Sequence, residues 1–98
     1  MKRLVVSAAA CDDLGTVARY SECEWGKARK KQYVAAIRAR FDLLRQQPEI
    51  GAERPDLATG YRSLPVGRHM IFYRIEMDSV VVIRVLHQRM DVGRHLKP

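Results

Sequence analysis

The sequence has few cysteines and no long uncharged run. Cys11 and Cys23 are the only two cysteines in 98 residues. If both lie on one helix, the twelve-residue separation spans about 18 Å, which is beyond disulfide reach. The longest uncharged run, residues 4–11, is far shorter than the roughly 20 residues that a membrane-spanning helix needs. We therefore expect two small buried thiols, no disulfide and no membrane span.

Motifs of common enzyme chemistry are also missing. No GxxxxGK[ST], GxGxxG, GxSxG, HExxH or CxxC string occurs, so phosphate-loop, serine hydrolase and zinc peptidase interpretations have no starting point. The histidines His69, His87 and His95 have no metal-ligand spacing with each other or with the cysteines. We predict no metal site and no cofactor. The first residues lack a secretory signal pattern, which favours a cytoplasmic protein.

What the chain does have is a core-forming composition and excess positive charge. It is 47% hydrophobic and 30% charged, with a formal net charge of +7. These values are typical of one small globular domain, which we place over residues 1–98. The charge is uneven, because residues 26–47 alone carry +6. Such a segment is either a solvated outer face or a docking face for acidic protein or phosphate.

Two amphipathic helices follow a short N-terminal strand. The β-branched run at residues 2–6 predicts the strand, and Ser7 before three alanines is typical of a helix N-cap. Apolar residues then recur at helical spacing over residues 8–22 and again over residues 27–47, where a proline ends the pattern. Because only a few residues around Gly26 separate the two helices, we predict an antiparallel hairpin.

Three β segments come after a polar connection. Residues 48–59 contain turn-forming residues and are predicted to be a loop. Residues 61–65, 69–75 and 80–87 are typical of strands and predict an antiparallel meander. The helical hairpin packs on this sheet, and the first strand is added to it. The predicted fold is therefore α+β, in the order β-α-α-β-β-β.

Both faces of the predicted sheet are largely apolar. With Ile75 opposite Val80, the period-two rule separates two sets. The sets are Ile71, Tyr73, Ile75, Val80, Val82, Arg84 and Leu86 on one face, and Met70, Phe72, Arg74, Val81, Ile83, Val85 and His87 on the other. Two helices cover one face of such a sheet. We therefore expect part of the sheet to be finished by a second polypeptide, unless a one-residue error of register produces the pattern.

Acid-base cleavage of RNA would need basic and titratable side chains on one surface. The candidates are Arg62, Arg68, His69, Tyr73, Arg84 and His87. They come from adjacent strands, but such residues also alternate on sheets that have no active site. His87 is more simply a hydrogen-bonded structural histidine. Arg84, inside an apolar run, needs a carboxylate, carbonyl or water partner because burying a lone charge is costly.

Several strings stand in an ordered set along nearly the whole chain. They are Gly60-Tyr61-Arg62, His69-Met70-Ile71-Phe72-Tyr73-Arg74, the run from Ile83 to Asp91, and Arg94-His95-Leu96, preceded by Asp13-Leu14, the Tyr20 to Trp25-Gly26 junction and Pro48-Glu49-Ile50-Gly51. Together with the order of elements, this set resembles the ParE toxins of the RelE/ParE superfamily, which belong to type II toxin-antitoxin systems.

The resemblance implies a RelE/ParE-like fold and a toxin that binds DNA gyrase and interferes with its handling of cleaved DNA, without catalysing a reaction. It also implies a ParD-like antitoxin, which lays a C-terminal segment across the toxin's hairpin and sheet and contacts operator DNA in place of the toxin. The +7 charge then complements an acidic antitoxin segment or gyrase. No membrane is involved.

Two alternatives stay open. Relatives in the same superfamily are ribosome-dependent messenger-RNA endonucleases, but the chain lacks the His-Tyr or Tyr with which those enzymes tend to close, since His87 is followed by Gln88-Arg89-Met90-Asp91. The other alternative is an inactive toxin that still binds its antitoxin.

Two sets of contact residues are expected from this resemblance. The antitoxin set is Trp25, Tyr33, Ile37, Phe41, Tyr73, Arg74 and Arg84. Within it, Arg84 is expected to pair with an acidic antitoxin residue, and Trp25 is either a packing anchor between the helices or an antitoxin contact. The gyrase set lies in the tail from Arg89 to Pro98 and consists of Arg89, Met90, Arg94 and His95.

Overall fold

The computed structural model describes residues 2–90 and 92–96. Met1, Asp91, Lys97 and Pro98 lie outside the described residues. The last three belong to the tail in which the gyrase contact is predicted. The elements are β1 (Arg3–Val6), α1 (Ala8–Gln46), a 3-10 turn (Pro48–Ile50), β2 (Ala52–Glu53), β3 (Tyr61–Val66), β4 (His69–Ile75), β5 (Ser79–His87) and α2 (Val92–His95). None of the described helices is long and apolar enough to cross a membrane.

The helical stretch α1 turns sharply at Gly26. A straight helix of 39 residues would be about 58 Å long, whereas the longest dimension of the molecule is 38 Å. Gly26 has φ 85° and ψ 171°, which is a glycine conformation outside the helical region. It divides α1 into an N-terminal arm (residues 8–25) and a C-terminal arm (residues 27–46), so the predicted hairpin is present. Its start is also as predicted, because the Ser7 Oγ accepts the Ala10 N–H at 3.0 Å.

The sheet has five strands in the order β1-β5-β4-β3-β2. Strand β1 is parallel to β5, and every other neighbouring pair is antiparallel. The predicted α+β fold is confirmed, with a mixed sheet instead of a wholly antiparallel one. Residues 48–59, predicted to be a loop, contain the 3-10 turn and β2. A two-residue strand is too short for side-chain alternation to reveal it.

A β-bulge in β5 changes the predicted division of side chains between the faces. The pairing of Ile75 with Val80 is confirmed. Further along, Phe72 lies opposite Arg84, which leaves Ile83 as an extra residue in β5. Because one extra residue reverses the alternation, the side chains from Arg84 onward lie on the face opposite to the predicted one.

The chain itself covers one face of the sheet and the middle of the other face. The main core lies between the sheet and the hairpin and contains Ala10, Val17, Ile37, Phe41, Leu44, Leu64, Val66, Ile71, Tyr73, Val80, Val82 and Val85. On the other face, Phe72 and Leu86 are only 1% and 2% exposed, because Leu57 from the connection before β3 and Leu96 after α2 pack in the same cluster. The expectation of an uncovered apolar face is therefore wrong at Phe72 and Leu86, whereas Val5, paired with Val81 at the edge of the same face, is 42% exposed.

The two cysteines lie on the outer side of the N-terminal arm. Both are free and exposed, so the expectation of buried thiols is wrong. The buried positions of this arm are Ala10, Val17 and Ser21. Cys11 and Cys23 fall between the positions of that helical stripe and point away from the core.

Candidate interaction surface

Five aromatic rings form a row from the tip of the hairpin to the end of the sheet. Neighbouring rings meet edge to face, with centroids between 5.2 and 6.4 Å apart. In order, the rings belong to Tyr20, Trp25, Tyr33, His69 and His87. Edge-to-face pairs stabilise packing beyond the burial of their area. The row therefore joins both arms of the hairpin to β4 and β5.

Tyr33 holds the turn between β3 and β4. Its hydroxyl accepts the Arg68 N–H at 3.1 Å, and its oxygen lies 3.2 Å from the Val66 carbonyl oxygen and 2.6 Å from Nδ1 of His69. Gly67, inside the turn, has φ 56°, and a Cβ there would lie 2.5 Å from the Tyr33 ring. Tyr33 is therefore a structural residue of this end of the molecule as well as a member of the row.

The two histidines at the end of the row are neighbours on adjacent strands. Burial, and secondly the nearby His87, lower the pKa of His69. His87 accepts the Arg89 N–H at Nδ1, at 3.1 Å. The interpretation of His87 as a hydrogen-bonded structural histidine agrees with this contact.

Surface cavities flank the row on both sides. One, of about 310 Å³, lies beside Trp25 and Tyr33 and also contacts Arg29 and Ala36. Another, of about 380 Å³, lies between the N-terminal arm and β5 and is bordered by Tyr20. Trp25 is 36% exposed and Tyr20 55% exposed. The hairpin tip therefore presents aromatic surface that a partner can cover.

The C-terminal arm carries most of the net positive charge. Two of its basic residues are paired, Lys30 with Glu22 at 3.5 Å and Arg45 with Asp42 at 3.8 Å. Five others are exposed and form no ion pair within the described residues: Lys27, Arg29, Lys31, Arg38 and Arg40. The arm is therefore a basic surface next to the exposed aromatic tip, and it suits an acidic partner.

The structure brings together only part of the predicted antitoxin set. Trp25 and Tyr33 are in contact, with ring centroids 6.1 Å apart. Ile37, Phe41 and Tyr73 are at most 5% exposed and belong to the main core. A side chain buried in its own core has no surface left for a partner, so these three are removed from the proposed interface.

Arg74 lies away from the aromatic row. It is near the end of β4 opposite to His69, and its guanidinium pairs with the Glu76 carboxylate at 3.5 Å. Six residues of strand separate the two ends by about 20 Å. Arg74 is partly buried, and it is part of a different surface from Trp25 and Tyr33.

Arg84 has its carboxylate partner within the chain. The Asp13 carboxylate accepts hydrogen bonds from Arg84 Nε at 2.7 Å and from Nη2 at 2.8 Å. The hydrogen bonds to Asp13 raise the pKa of Arg84. The expectation that an acidic antitoxin residue pairs with Arg84 is therefore replaced by an internal ion pair.

The predicted gyrase set lies beyond β5 and is exposed. Arg89 and Met90 follow the last strand, and Arg94 and His95 belong to α2. Met90 is 43% exposed. The sequence analysis did not identify Leu96 as a buried residue that packs this segment against the sheet. Its position shortly after the apolar run of β5 was the signal that could have indicated this packing.

The six candidates for RNA cleavage do not meet at one place. His69 and His87 are in contact, and Arg68 borders the same cavity as His87. The other three are engaged elsewhere: Arg62 with the Glu49 and Gly51 carbonyls, Tyr73 in the core, and Arg84 with Asp13. The arrangement does not assemble the predicted acid-base constellation.

Comparison with known proteins gives a consistent result. Residues 4–92 match the family model described as ParE toxin of type II toxin-antitoxin system, parDE. The chain is 35% identical to Toxin ParE1 of Caulobacter vibrioides over 98% of this chain and 99% of that protein. It is 36% identical to Toxin ParE1 of Mycobacterium tuberculosis over 96% of this chain and 97% of that protein. The chain is 26% identical to Toxin ParE of Escherichia coli over 98% of this chain and 94% of that protein.

A solved structure has the same fold. One chain of the chromosomal ParDE TA system from P. aeruginosa superimposes with a TM-score of 0.77, covering 89% of this chain and 96% of that chain. The two sequences are 21% identical. The match therefore establishes the common arrangement of helical hairpin and mixed sheet.

Proposed function

The chain belongs to the ParE toxin family of type II toxin-antitoxin systems, and from this we propose that it inhibits DNA gyrase by binding, without catalysis. We further propose that a ParD-like antitoxin neutralises it and that operator DNA is contacted through the antitoxin. The observation that carries the proposal is the family match over residues 4–92, together with ParE1 relatives that align along nearly their whole length.

The proposed antitoxin surface is the hairpin tip with the C-terminal arm. It combines Trp25 and Tyr33, the adjacent cavity of about 310 Å³, and the unpaired cations of the arm. Aromatic anchors beside arginine are typical of binding hot spots. An antitoxin segment with apolar and acidic side chains complements both features. Arg74 is a separate, peripheral candidate, because it lies at the far end of β4.

The proposed gyrase surface is the segment after β5, with Arg89, Met90, Arg94 and His95. All four are exposed, and the segment is cationic. Positively charged side chains and an exposed methionine are suited to contact with gyrase, which itself binds DNA. Met90 and Arg89 each border a cavity with Tyr20, which contacts Trp25, so the two proposed surfaces adjoin at Tyr20. They consist of different residues, so each can be changed separately by mutation.

Action without catalysis is supported by the placement of the titratable groups. Tyr73, one of the candidate acid-base residues, is buried and donates its hydroxyl proton to the Pro48 carbonyl oxygen at 2.6 Å. Arg84, the candidate for stabilising phosphorane charge, is bound by Asp13. These contacts favour a binding toxin over a messenger-RNA endonuclease.

The test is to incubate the purified protein with gyrase and supercoiled plasmid, and in parallel with translating ribosomes. Accumulation of linear DNA after removal of gyrase by protease supports the proposal. Addition of the cognate antitoxin should abolish that accumulation. Messenger cuts at defined codon positions, with no effect on gyrase, would establish the endonuclease in its place.

Matched variants connect the result to the proposed surface. Met90→Ala removes an exposed methionine from the proposed gyrase segment, whereas Met77→Ala removes one that is 96% exposed at the β4–β5 turn. The nine-residue strand β5 separates these sites by about 30 Å. We expect Met90→Ala to reduce linear DNA and Met77→Ala to leave it unchanged. If both variants changed the amount of linear DNA equally, the proposal that the tail contacts gyrase would be contradicted.

A further inference from the structure

The carboxylate of Asp13 accepts three hydrogen bonds from residues of β5. Besides the two hydrogen bonds from the Arg84 guanidinium, it accepts the Val85 N–H at 3.0 Å. The Asp13 and Arg84 side chains are only 13% and 22% exposed. A two-point contact between a guanidinium and a carboxylate fixes the plane and the direction of the arginine. Arg84 is therefore held in one orientation by the N-terminal arm.

The remaining Arg84 nitrogen contacts the segment that follows β5. Its Nη1 donates to the carbonyl oxygen of His95 at 3.1 Å. Next to this bond, Leu96 is 4% exposed and packs with Phe72 and Leu86. The apolar contact of Leu96 and the charged contact of Arg84 thus both hold the segment 92–96 to the sheet.

The charged contact depends on Asp13. A free arginine side chain has many rotamers, and fixing one of them costs conformational entropy. Asp13 supplies that ordering through Nε and Nη2, which leaves Nη1 directed at His95. Removal of the Asp13 charge is therefore expected to weaken a hydrogen bond in which Asp13 takes no part.

We propose that Arg84, held by Asp13, is a positioning residue that docks residues 92–96 against the sheet and thereby orients Arg94 and His95 for binding gyrase. The gyrase part rests on the proposed function, whereas the docking part does not. The inference gives Arg84 a role inside the toxin, distinct from the direct antitoxin contact that its sequence context favours.

The docking is tested first, without any partner, by amide hydrogen exchange in the isolated protein. In Asp13→Asn and Arg84→Gln, exchange at His95 and Leu96 should rise about tenfold, the usual effect of losing one charge-assisted hydrogen bond. Amides in β3 and β4 should keep their wild-type protection. Leu96→Ala should give the same local increase by removing the apolar contact.

The matched control is Arg74→Gln. It removes an arginine from an ion pair with Glu76 at the opposite end of the sheet. Exchange at His95 and Leu96 should be unchanged in this variant. Unchanged exchange in Asp13→Asn and Arg84→Gln as well would overturn the proposal, because it would mean that the segment is held without the Arg84 contact.

Binding then separates positioning from general stability. In Asp13→Asn, affinity for gyrase should fall about tenfold while affinity for the antitoxin changes less than about twofold, since the antitoxin surface lies on other residues. Equal losses for both partners would reduce Asp13 to a fold-stabilising residue and overturn the positioning role. If the wild-type protein did not bind gyrase, the proposed function would be contradicted. Amide hydrogen exchange would still show whether Arg84 docks residues 92–96 against the sheet.

Discussion

His69 and His87 lie opposite each other on β4 and β5, with ring centroids 5.2 Å apart. Nδ1 of His69 is 2.6 Å from the Tyr33 hydroxyl, and Nδ1 of His87 accepts the Arg89 N–H. A positive charge on His69 therefore lies in a half-buried site next to the His87 ring. Burial and the neighbouring His87 accordingly lower the pKa of His69.

The first prediction is that acid destabilises the fold through His69. Its pKa is lower in the folded than in the unfolded protein, so the unfolded chain binds more protons as the pH falls below about 6.5. The free energy of unfolding should decrease from there until the folded-state pKa is reached. Urea unfolding at pH 7.5 and at pH 5.5 measures this difference.

The variant His69→Gln should make that pH dependence smaller. The exposed His95 supplies the control, and His95→Gln should keep the wild-type pH dependence. A His69→Gln protein that loses as much stability between the two pH values as wild type would contradict the prediction.

The second prediction concerns the hydroxyl of Tyr73. It accepts the Gly51 N–H at 2.9 Å and donates to the Pro48 carbonyl oxygen at 2.6 Å, so it fixes the chain between α1 and β2. Tyr73→Phe leaves a buried N–H and a carbonyl without a partner and should cost about 1–3 kcal/mol of unfolding free energy. Tyr61→Phe is the control, because the Tyr61 hydroxyl has no hydrogen bond within the described residues. Equal stabilities of the two variants in urea would refute the role of the Tyr73 hydroxyl.

The third prediction compares two glycines of α1. Gly26→Ala places a side chain at φ 85° and ψ 171°, which costs about 1–3 kcal/mol although nothing lies within 4 Å of the new Cβ. Gly15→Ala lies inside the N-terminal arm, where a Cβ would meet only the flexible end of Arg19 at 3.4 Å. It should be neutral or stabilising by up to about 1 kcal/mol. Thermal unfolding of both variants checks the opposite signs.

Local signals predicted the order of elements well. Ser7 as the N-cap, the reversal at Gly26 and the pairing of Ile75 with Val80 each depend on neighbouring residues, and all three are present. The bulge at Ile83 was not predictable, because one extra β-branched residue leaves an apolar run unchanged. That single residue reversed the predicted faces of β5 beyond it.

The cover of the second sheet face was missed for a different reason. Leu57 lies in a polar connection and Leu96 near the chain end, and neither belongs to a periodic pattern. Tertiary contacts alone bring them onto Phe72. The prediction of an uncovered face failed at Phe72 and Leu86 because only regular elements were counted as cover.

The candidate site was predicted only where an exposed side chain has an unusual identity. Trp25 at the hairpin break was recognisable, whereas Ile37 and Phe41 were chosen from an apolar stripe, which identifies buried residues. The partner of Arg84 was not accessible from the sequence, since Asp13 lies 71 positions away. An ion pair between residues so far apart in the sequence can be identified only from the three-dimensional structure.

The fourth prediction tests the exposed aromatic anchor. Trp25→Ala removes the ring that lies between Tyr20 and Tyr33 and borders the adjacent cavity. As a binding hot spot it should lower antitoxin affinity by about 2 kcal/mol or more. Ile50→Ala deletes apolar surface that is 43% exposed on a different part of the molecule and should have no effect. Calorimetric titration measures both, and equal affinities would place the antitoxin elsewhere.

The last prediction concerns the basic face of the C-terminal arm. Lys31 and Arg38 are seven residues apart, so they lie on one side of the helix, and neither forms an ion pair within the described residues. Reversing both charges to glutamate should slow association with an acidic antitoxin segment about tenfold at low salt, because long-range attraction mainly sets the association rate. The difference should shrink in high salt, where these exposed charges are screened. Arg3→Glu reverses an exposed charge on β1 and serves as the comparison in stopped-flow experiments. If it slows association as much as Lys31→Glu or Arg38→Glu alone does, only net charge matters and the arm is no specific docking face.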